Sequence, residues 1–316
     1  MNRKLPLLIF LIFFFTGKSF SQTDTAHVGL FITSLYDFSI DGKSFNTDFW
    51  LWINYNDDSL AFEEIVEIPD AKNYEYTMFS VEKKGNINWA TMKCKAEMKK
   101  DWDVTDFPFD DQVLTITLED SELDTTSLVY VADAANSKID PQLKMNEWAF
   151  DSFTVNSMFH SYNTTYGDPE LSGASTYPAI TAKIYMHRTH SWLILMKMLT
   201  GVYVAFFISI LVFFIKPSIT DRFGLCVGGL FAAVGNKYIT ESIVPATVTN
   251  TLIDNVHNIT LLSILFIIAV SVITLRWDLH NDPKSYAYAK RIERVCFVVL
   301  TSLYVTLNIG LILNAQ

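Results

Sequence analysis

Phe223-Gly224-Leu225-Cys226-Val227-Gly228-Gly229-Leu230-Phe231-Ala232-Ala233-Val234-Gly235-Asn236-Lys237-Tyr238-Ile239-Thr240-Glu241-Ser242-Ile243-Val244 is an apolar stretch of membrane length that nevertheless carries Asn236, Lys237 and Glu241. An ionisable side chain facing lipid is costly, so such residues normally turn toward a bundle interior or water. With Arg222 as the cytoplasmic end, a helix here aligns Gly224, Gly228, Phe231, Gly235, Tyr238 and Ser242 along one stripe. Glycines lack side chains, so this stripe either leaves space or lets a neighbouring helix approach closely. The stretch by itself leaves both uses open.

Working outward, three cleaner apolar runs accompany it: Trp192–Ile215, Ile259–Leu275 and Val295–Leu313. Each falls within the length range of helices that cross a hydrocarbon core of about 30 Å, at a rise of about 1.5 Å per residue, Ile259–Leu275 only just. Together the four runs predict transmembrane helices near 192–215, 222–244, 258–276 and 293–313. Basic residues orient them. Lys216 and Arg222 lie between the first and second runs, and Arg276, Lys284, Lys290, Arg291 and Arg294 between the third and fourth. The segment Pro245–Asn258 and the tail Asn314-Ala315-Gln316 carry no Lys or Arg. The expectation is a multi-pass chain with its N-terminal domain and its C-terminus outside the cytoplasm. The N-terminus agrees independently: Arg3 and Lys4 precede the apolar run Leu7–Phe15, and Ser19-Phe20-Ser21 offers a cleavage site. That pattern reads as a signal peptide over residues 1–21.

Composition narrows the function. Half the 316 residues are hydrophobic and the net charge is −10, which argues against nucleic acid as a partner. Three scattered cysteines make no disulfide framework. Residues 22–190 are dominated by period-two patterns: Phe49–Tyr55, Val113–Leu118 and Ala179–Tyr185. Turn signals separate them at Asp41-Gly42, Asn56-Asp57-Asp58, Lys84-Gly85-Asn86 and Tyr166-Gly167-Asp168-Pro169. Many short strands so punctuated predict a β-sandwich. Catalytic signals are sparse. His187 and His190 sit three apart on a strand end, facing opposite sides rather than chelating a metal. No nucleophile motif, phosphate loop or Cys-x-x-Cys pair occurs, so neither an enzyme, a cofactor nor a metal centre is expected.

Trp102-Asp103-Val104-Thr105-Asp106-Phe107-Pro108-Phe109-Asp110-Asp111-Gln112 resembles the Phe-Pro-Phe-Asp-x-Gln signature loop of pentameric ligand-gated ion channels, the Cys-loop receptor superfamily. Lys100 and Leu114 stand where animal receptors have the bracketing cysteines, as in the bacterial branch lacking the disulfide. Asn146–Phe153 resembles the Trp-containing strand that follows the loop in bacterial homologues. Arg188 precedes the first span, Arg222 opens the second and Pro245 closes it, at the family's spacing. The resemblance implies a β-sandwich periplasmic domain above a four-helix transmembrane bundle, in a homopentamer around a central pore lined by the second helix. It also implies a bacterial inner-membrane location and passive ion conduction.

Residue by residue, the resemblance makes Gly224, Gly228, Phe231, Gly235, Tyr238 and Ser242 pore-lining and Phe231 a hydrophobic gate. Asp221 becomes an acidic ring at the cytoplasmic mouth that selects cations, although with Thr220 it also suits a helix cap. Asp41, Lys43, Phe107, Pro108, Phe109, Asp110, Arg188 and Pro245 become the coupling region, with an ion pair expected between Asp110 and Arg188. Lys237 and Glu241, one turn apart, suit an ion pair. Tyr162, Tyr166 and Tyr177, with Trp52 and Trp89 from a neighbouring subunit, become the ligand site, where aromatic faces suit a cation. The loop Asp120-Ser121-Glu122-Leu123-Asp124 lacks the aromatic expected there. Gly224 and Gly228 replace the family's inner hydroxyl residues, and Phe231 replaces a large aliphatic gate. The expected partners are four further copies, membrane lipid, inorganic ions, and a small molecule, proton or divalent cation as the ligand. His257 is a candidate pH-responsive group near the outer face. The alternative reading is a non-conducting periplasmic receptor or scaffold of the same build.

Overall fold

In the computed structural model, residues 23–167, 173–243, 250–279 and 282–316 are described; the leader, Asp168-Pro169, Val244 and Pro245 lie outside them. Ten strands come first: β1 Asp24–Ser39, β2 Ser44–Tyr55, β3 Val66–Glu67, β4 Ala71–Lys84, β5 Ile87–Lys99, β6 Asp111–Asp120, β7 Leu128–Ala132, β8 Lys138–Ile139, β9 Trp148–Tyr162 and β10 Ser175–Arg188. One turn of helix, α1 Phe62–Ile65, interrupts them. One sheet runs β4-β5-β2-β1-β7 with β8 also on β1, and the other runs β3-β6-β10-β9.

The period-two sequence pattern explains why these strands stack as two layers. In β2, Phe45, Phe49, Leu51, Ile53 and Tyr55 point inward and are buried, while Trp50 and Trp52 point outward. Leu114, Ile116 and Leu118 of β6 and Ile180, Ala182, Ile184 and Met186 of β10 complete the shared core from the opposite sheet. Each large apolar side chain so buried contributes roughly 1.5–3 kcal/mol over an exposed one. Trp102 and Trp148 close the core at the end nearest the helices, with ring centroids 6.2 Å apart.

β10 runs almost directly into α2 Ser191–Ile210, with His190 at φ 59° making the corner. A tighter turn, Leu211–Phe214, extends α2. Then follow α3 Phe223–Glu241, α4 Leu252–Asp278 and α5 Pro283–Asn314. Three of these segments, Ser191–Phe214, Leu252–Asp278 and Pro283–Asn314, are long and apolar enough to cross a membrane; α3 is not among them.

Helix boundaries differ from the apolar runs, and the differences have causes. The third helix starts at Leu252 rather than 258, because Thr251 and Asp254 form a reciprocal capping box. The fourth starts at Pro283 rather than 293: proline suits a first helical turn, and the charged residues after it are helical although not apolar. The first helix loses regular geometry at Ile210 rather than 215, and the second ends at Glu241 among the described residues.

Candidate functional site

The sandwich meets the helices through the loop at residues 102–112. Asp110 and Arg188 form the expected ion pair: Nε donates to Oδ1 at 2.8 Å and Nη2 to Oδ2 at 3.2 Å. Both side chains are buried, at 2% and 8% exposure. Desolvated charges need several partners, and these have them. Gln112 donates to Asp110 Oδ2 at 3.1 Å, and the Arg188 guanidinium lies 4.8 Å from the Phe107 ring centroid and 4.2 Å from that of Trp148. The Phe107–Pro108 bond is cis.

The same loop reaches the helices directly. Val104 and Phe107 share one buried cluster with Leu195, Met198 and Leu199 of α2 and Leu252, Ile253 and Val256 of α4. Phe109 packs edge-on against Trp192 at 5.3 Å. The Leu252 N–H donates to the Thr105 carbonyl at 2.9 Å, so the start of α4 is bonded to the loop. From the β1–β2 turn, Ile40 packs on this cluster, the Trp102 Nε1 donates to the Ser39 carbonyl at 2.8 Å, and Lys43 pairs with Asp101 at 2.9 Å. Asp41, exposed in that turn, has no such partner among the described residues. Pro245 lies outside the described residues.

On α3, the stripe and the packed face separate cleanly. Cys226, Gly229, Ala233 and Thr240 are buried, and Gly224, Gly228, Phe231, Gly235, Tyr238 and Ser242 are all exposed. At roughly 100° per residue the two sets lie on opposite sides of the helix. Phe231 and Tyr238 are 71% and 70% exposed. The glycines divide the same way. A Cβ at Gly224, Gly228 or Gly235 would meet nothing within 4 Å, whereas one at Gly229 would lie 2.0 Å from Ser209 Oγ and 2.8 Å from the Ala205 carbonyl. On α3, close packing within the chain is therefore the work of Gly229, not of the stripe.

Asp221 is exposed in the turn Thr220–Arg222, and α3 has no side-chain cap, so neither it nor Thr220 caps the helix. Lys237 and Glu241 pair at 3.8 Å, and Lys237 also donates to Asn258 at 3.3 Å. His257, in the second turn of α4 near the end that meets the loop at residues 102–112, is wholly buried, its ring nitrogens 2.8 Å from the Ile253 carbonyl and 3.0 Å from Asn236.

In the sheet domain, Tyr162, Tyr166 and Tyr177 gather at the ends of β9 and β10, with the rings of Tyr166 and Tyr177 each 6.0 Å from that of Tyr162. His160 lies beneath, its ring 4.3 Å from Tyr162 and its Nδ1 2.5 Å from the buried Glu119 carboxylate. Burial and then the Glu119 carboxylate push the Tyr162 phenol up. Burial, followed by the charges of Glu119 and Asp120, raises Glu67 beside them. Trp52 and Trp89 sit on the outer face of the other sheet, Trp52 bonded to Asp133 at 3.1 Å and Trp89 beneath the Lys84 ammonium at 5.1 Å. One chain thus holds the tyrosines and the tryptophans on different surfaces and does not bring them together. His187 and His190 are also separate: His187 bonds Asp151 at 2.7 Å.

A cluster that sequence reading missed lies at the opposite end of the bundle. Arg222, read as a cytoplasmic topology signal, is fully buried and pairs with Glu293 at 2.6 Å. Glu293 sits within a basic run that looks like a solvated face, so no local signal revealed it.

Comparison with known proteins adds to this geometry. No protein-family model matches the chain. The chain is similar to the neuronal acetylcholine receptor subunit beta-4 of Bos taurus, with 24% identity over 312 residues, an alignment covering 89% of this chain and 59% of the relative. The chain therefore spans about three-fifths of that relative's length. At 24% identity this is a weak homology to a receptor subunit of the Cys-loop superfamily, in agreement with the likeness drawn from residues 102–112 and with a sheet domain followed by apolar helices.

Proposed function

We propose that the chain is one subunit of a ligand-gated ion channel in which five copies surround an axis and α3 of each lines the pore. The domain before α2 and the C-terminus face the periplasm, and the helices cross a bacterial inner membrane. Conduction is passive and cation-selective, with Asp221 at the cytoplasmic mouth and Phe231 as the constriction that dewets when closed. A periplasmic small molecule, proton or divalent cation shifts the closed–open balance by binding one state more tightly. The loop at residues 102–112, with Arg188 and the turn Asp41–Lys43, carries that shift to the helices.

The observation that carries this reading is the exposed stripe of α3. It lies on the helix least suited to lipid, opposite the face packed on α2 and α4, and its glycines touch nothing within the subunit. A water-filled axis shared with neighbouring copies accounts for a polar helix whose small residues face outward. Recording from purified protein in planar bilayers while scanning pH, calcium and small amines tests the proposal. Single-channel steps evoked by one of them are expected; silence under all conditions in a correctly folded pentamer would instead favour the non-conducting receptor.

A further inference from the structure

The buried charge cluster at the cytoplasmic end is built around one carboxylate. Glu293 on α5 is fully buried, and its two oxygens are used differently. Oε1 accepts from Arg222 Nη1 at 2.6 Å and from Thr274 Oγ1 of α4 at 2.9 Å. Oε2 accepts from Lys290 Nζ at 3.0 Å. Arg222 Nη2 donates further to the Ser271 carbonyl at 2.7 Å and to Thr274 at 3.0 Å. Lys290 Nζ donates also to the carbonyls of Phe213 and Ile215, at 3.2 and 2.8 Å, where α2 ends.

These contacts clamp both ends of one loop. The carbonyls of Phe213 and Ile215, in and just past the tighter turn that extends α2, are held through Lys290, and the residue before α3 is held through Arg222; Glu293 joins the two. Between them Ser218, Ile219, Thr220 and Asp221 are exposed. The start of α3 has no side-chain cap, so ordinary capping does not fix it. A guanidinium with a well-placed carboxylate partner is rigid, and one left buried without it is strongly unfavourable, so the start of α3 depends on Glu293.

We propose that Glu293 is the positioning residue of the cytoplasmic mouth: acting through Arg222 and Lys290, it ties the outermost helix, α5, to the loop that presents Asp221 and to the first turn of α3. The proposal rests on the pore reading of α3. Through this tie, a displacement of α5 moves the mouth.

The test uses the full-length protein in liposomes and two of its own thiols. Cys226 is fully buried on α3 one turn beyond Arg222, and Cys94 is fully buried in the sandwich core. Labelling by N-ethylmaleimide, read peptide by peptide, compares wild type with Glu293→Gln and Glu293→Asp. Glu293→Gln should label Cys226 at least tenfold faster with Cys94 unchanged, and Glu293→Asp should lie nearer wild type. Cys226 labelling at the wild-type rate, or a parallel rise at Cys94, overturns the tie. If Glu293→Gln does not fold, Thr274→Val keeps all three charges, removes one donor to Glu293 Oε1 and should speed Cys226 labelling several-fold; no change there overturns it equally. In the same liposomes, a salt gradient reads selectivity: Glu293→Gln should shift the reversal potential and Glu293→Asp should restore it. Conduction with an unshifted potential overturns the mouth-positioning role. Absence of current from wild type defeats the pore reading instead, and thiol labelling still decides the tie.

Discussion

Arg188 and Asp110, 78 residues apart in sequence, meet through two hydrogen bonds in a buried ion pair roofed by Phe107 and Trp148. The pair joins the final residue of β10 to the loop that grips α2 and α4, so it lies where the sheet domain reaches the helices. Removing one partner strands a buried charge at a cost of about 3–5 kcal/mol. Asp110→Asn and Arg188→Ala are therefore expected to lower the unfolding free energy of the purified protein by amounts of that order, read as a lower denaturation midpoint. Reversing both charges together should recover part of the loss in stability and in current, whereas strictly additive losses would show that the contact carries no coupling.

Gly229 and Gly228 make a second, paired test. Gly229→Ala places a methyl against Ser209 and the Ala205 backbone. Separating α2 from α3 to fit it should cost about 1–3 kcal/mol. Gly228→Ala meets open space in the subunit, and better helix propensity should leave it neutral or more stable by up to about 1 kcal/mol. Thermal melting of both variants checks the contrast. Equal losses would mean that the stripe is packed after all.

How much of this was legible follows from the range of each signal. Alternation in Phe49–Tyr55 marks a strand because side-chain direction there is local, and the structure places that segment within β2 with Phe49, Leu51 and Ile53 inward. The Asp110–Arg188 contact was readable only because the signature loop and the first span are recognisable landmarks. Gly229 could not be told from Gly228 by periodicity alone, since they differ only in which face of α3 meets α2. Glu293 was invisible for a stronger reason. Its partner lies 71 residues away, and its neighbours Lys290, Arg291 and Arg294 look like an exposed basic face. The tyrosines, grouped by the resemblance, do gather at the ends of β9 and β10, whereas Trp52 and Trp89 lie on a separate surface of the chain, which no local pattern reveals.

Glu67 gives a pH-dependent prediction. Burial and the nearby Glu119 and Asp120 charges raise its folded-state pKa. The folded chain thus keeps this proton to higher pH than the unfolded chain, and stability falls as pH rises through the window between the two pKa values. Glu67→Gln should therefore melt higher than wild type at neutral pH and lose that advantage below about pH 4, where both states are protonated. Circular dichroism melts across that range supply the check; an advantage that persists in acid would place the effect in packing rather than ionisation.

Phe231 and Asp221 test the pore assignments separately. Phe231→Ser wets the constriction and should raise basal current about tenfold or more, equivalent to about 1.4 kcal/mol in the closed–open balance. Asp221→Ala should reduce cation selectivity, most clearly at low ionic strength, because ring charges are screened beyond about 8 Å at physiological salt. Reversal potentials in two salt concentrations measure it, and an unchanged value would remove Asp221 from the selectivity role.

A pore lined by α3 requires its stripe to face water along a shared axis. In full-length protein with Cys94, Cys226 and Cys296 replaced, single cysteines placed along α3 can be probed in membranes with a charged, water-borne thiol reagent. Reaction and current change are predicted for Gly224→Cys, Gly228→Cys, Phe231→Cys, Gly235→Cys, Tyr238→Cys and Ser242→Cys, with Ala233→Cys and Thr240→Cys protected. Protection along the whole stripe, or reaction confined to the packed face, would contradict it.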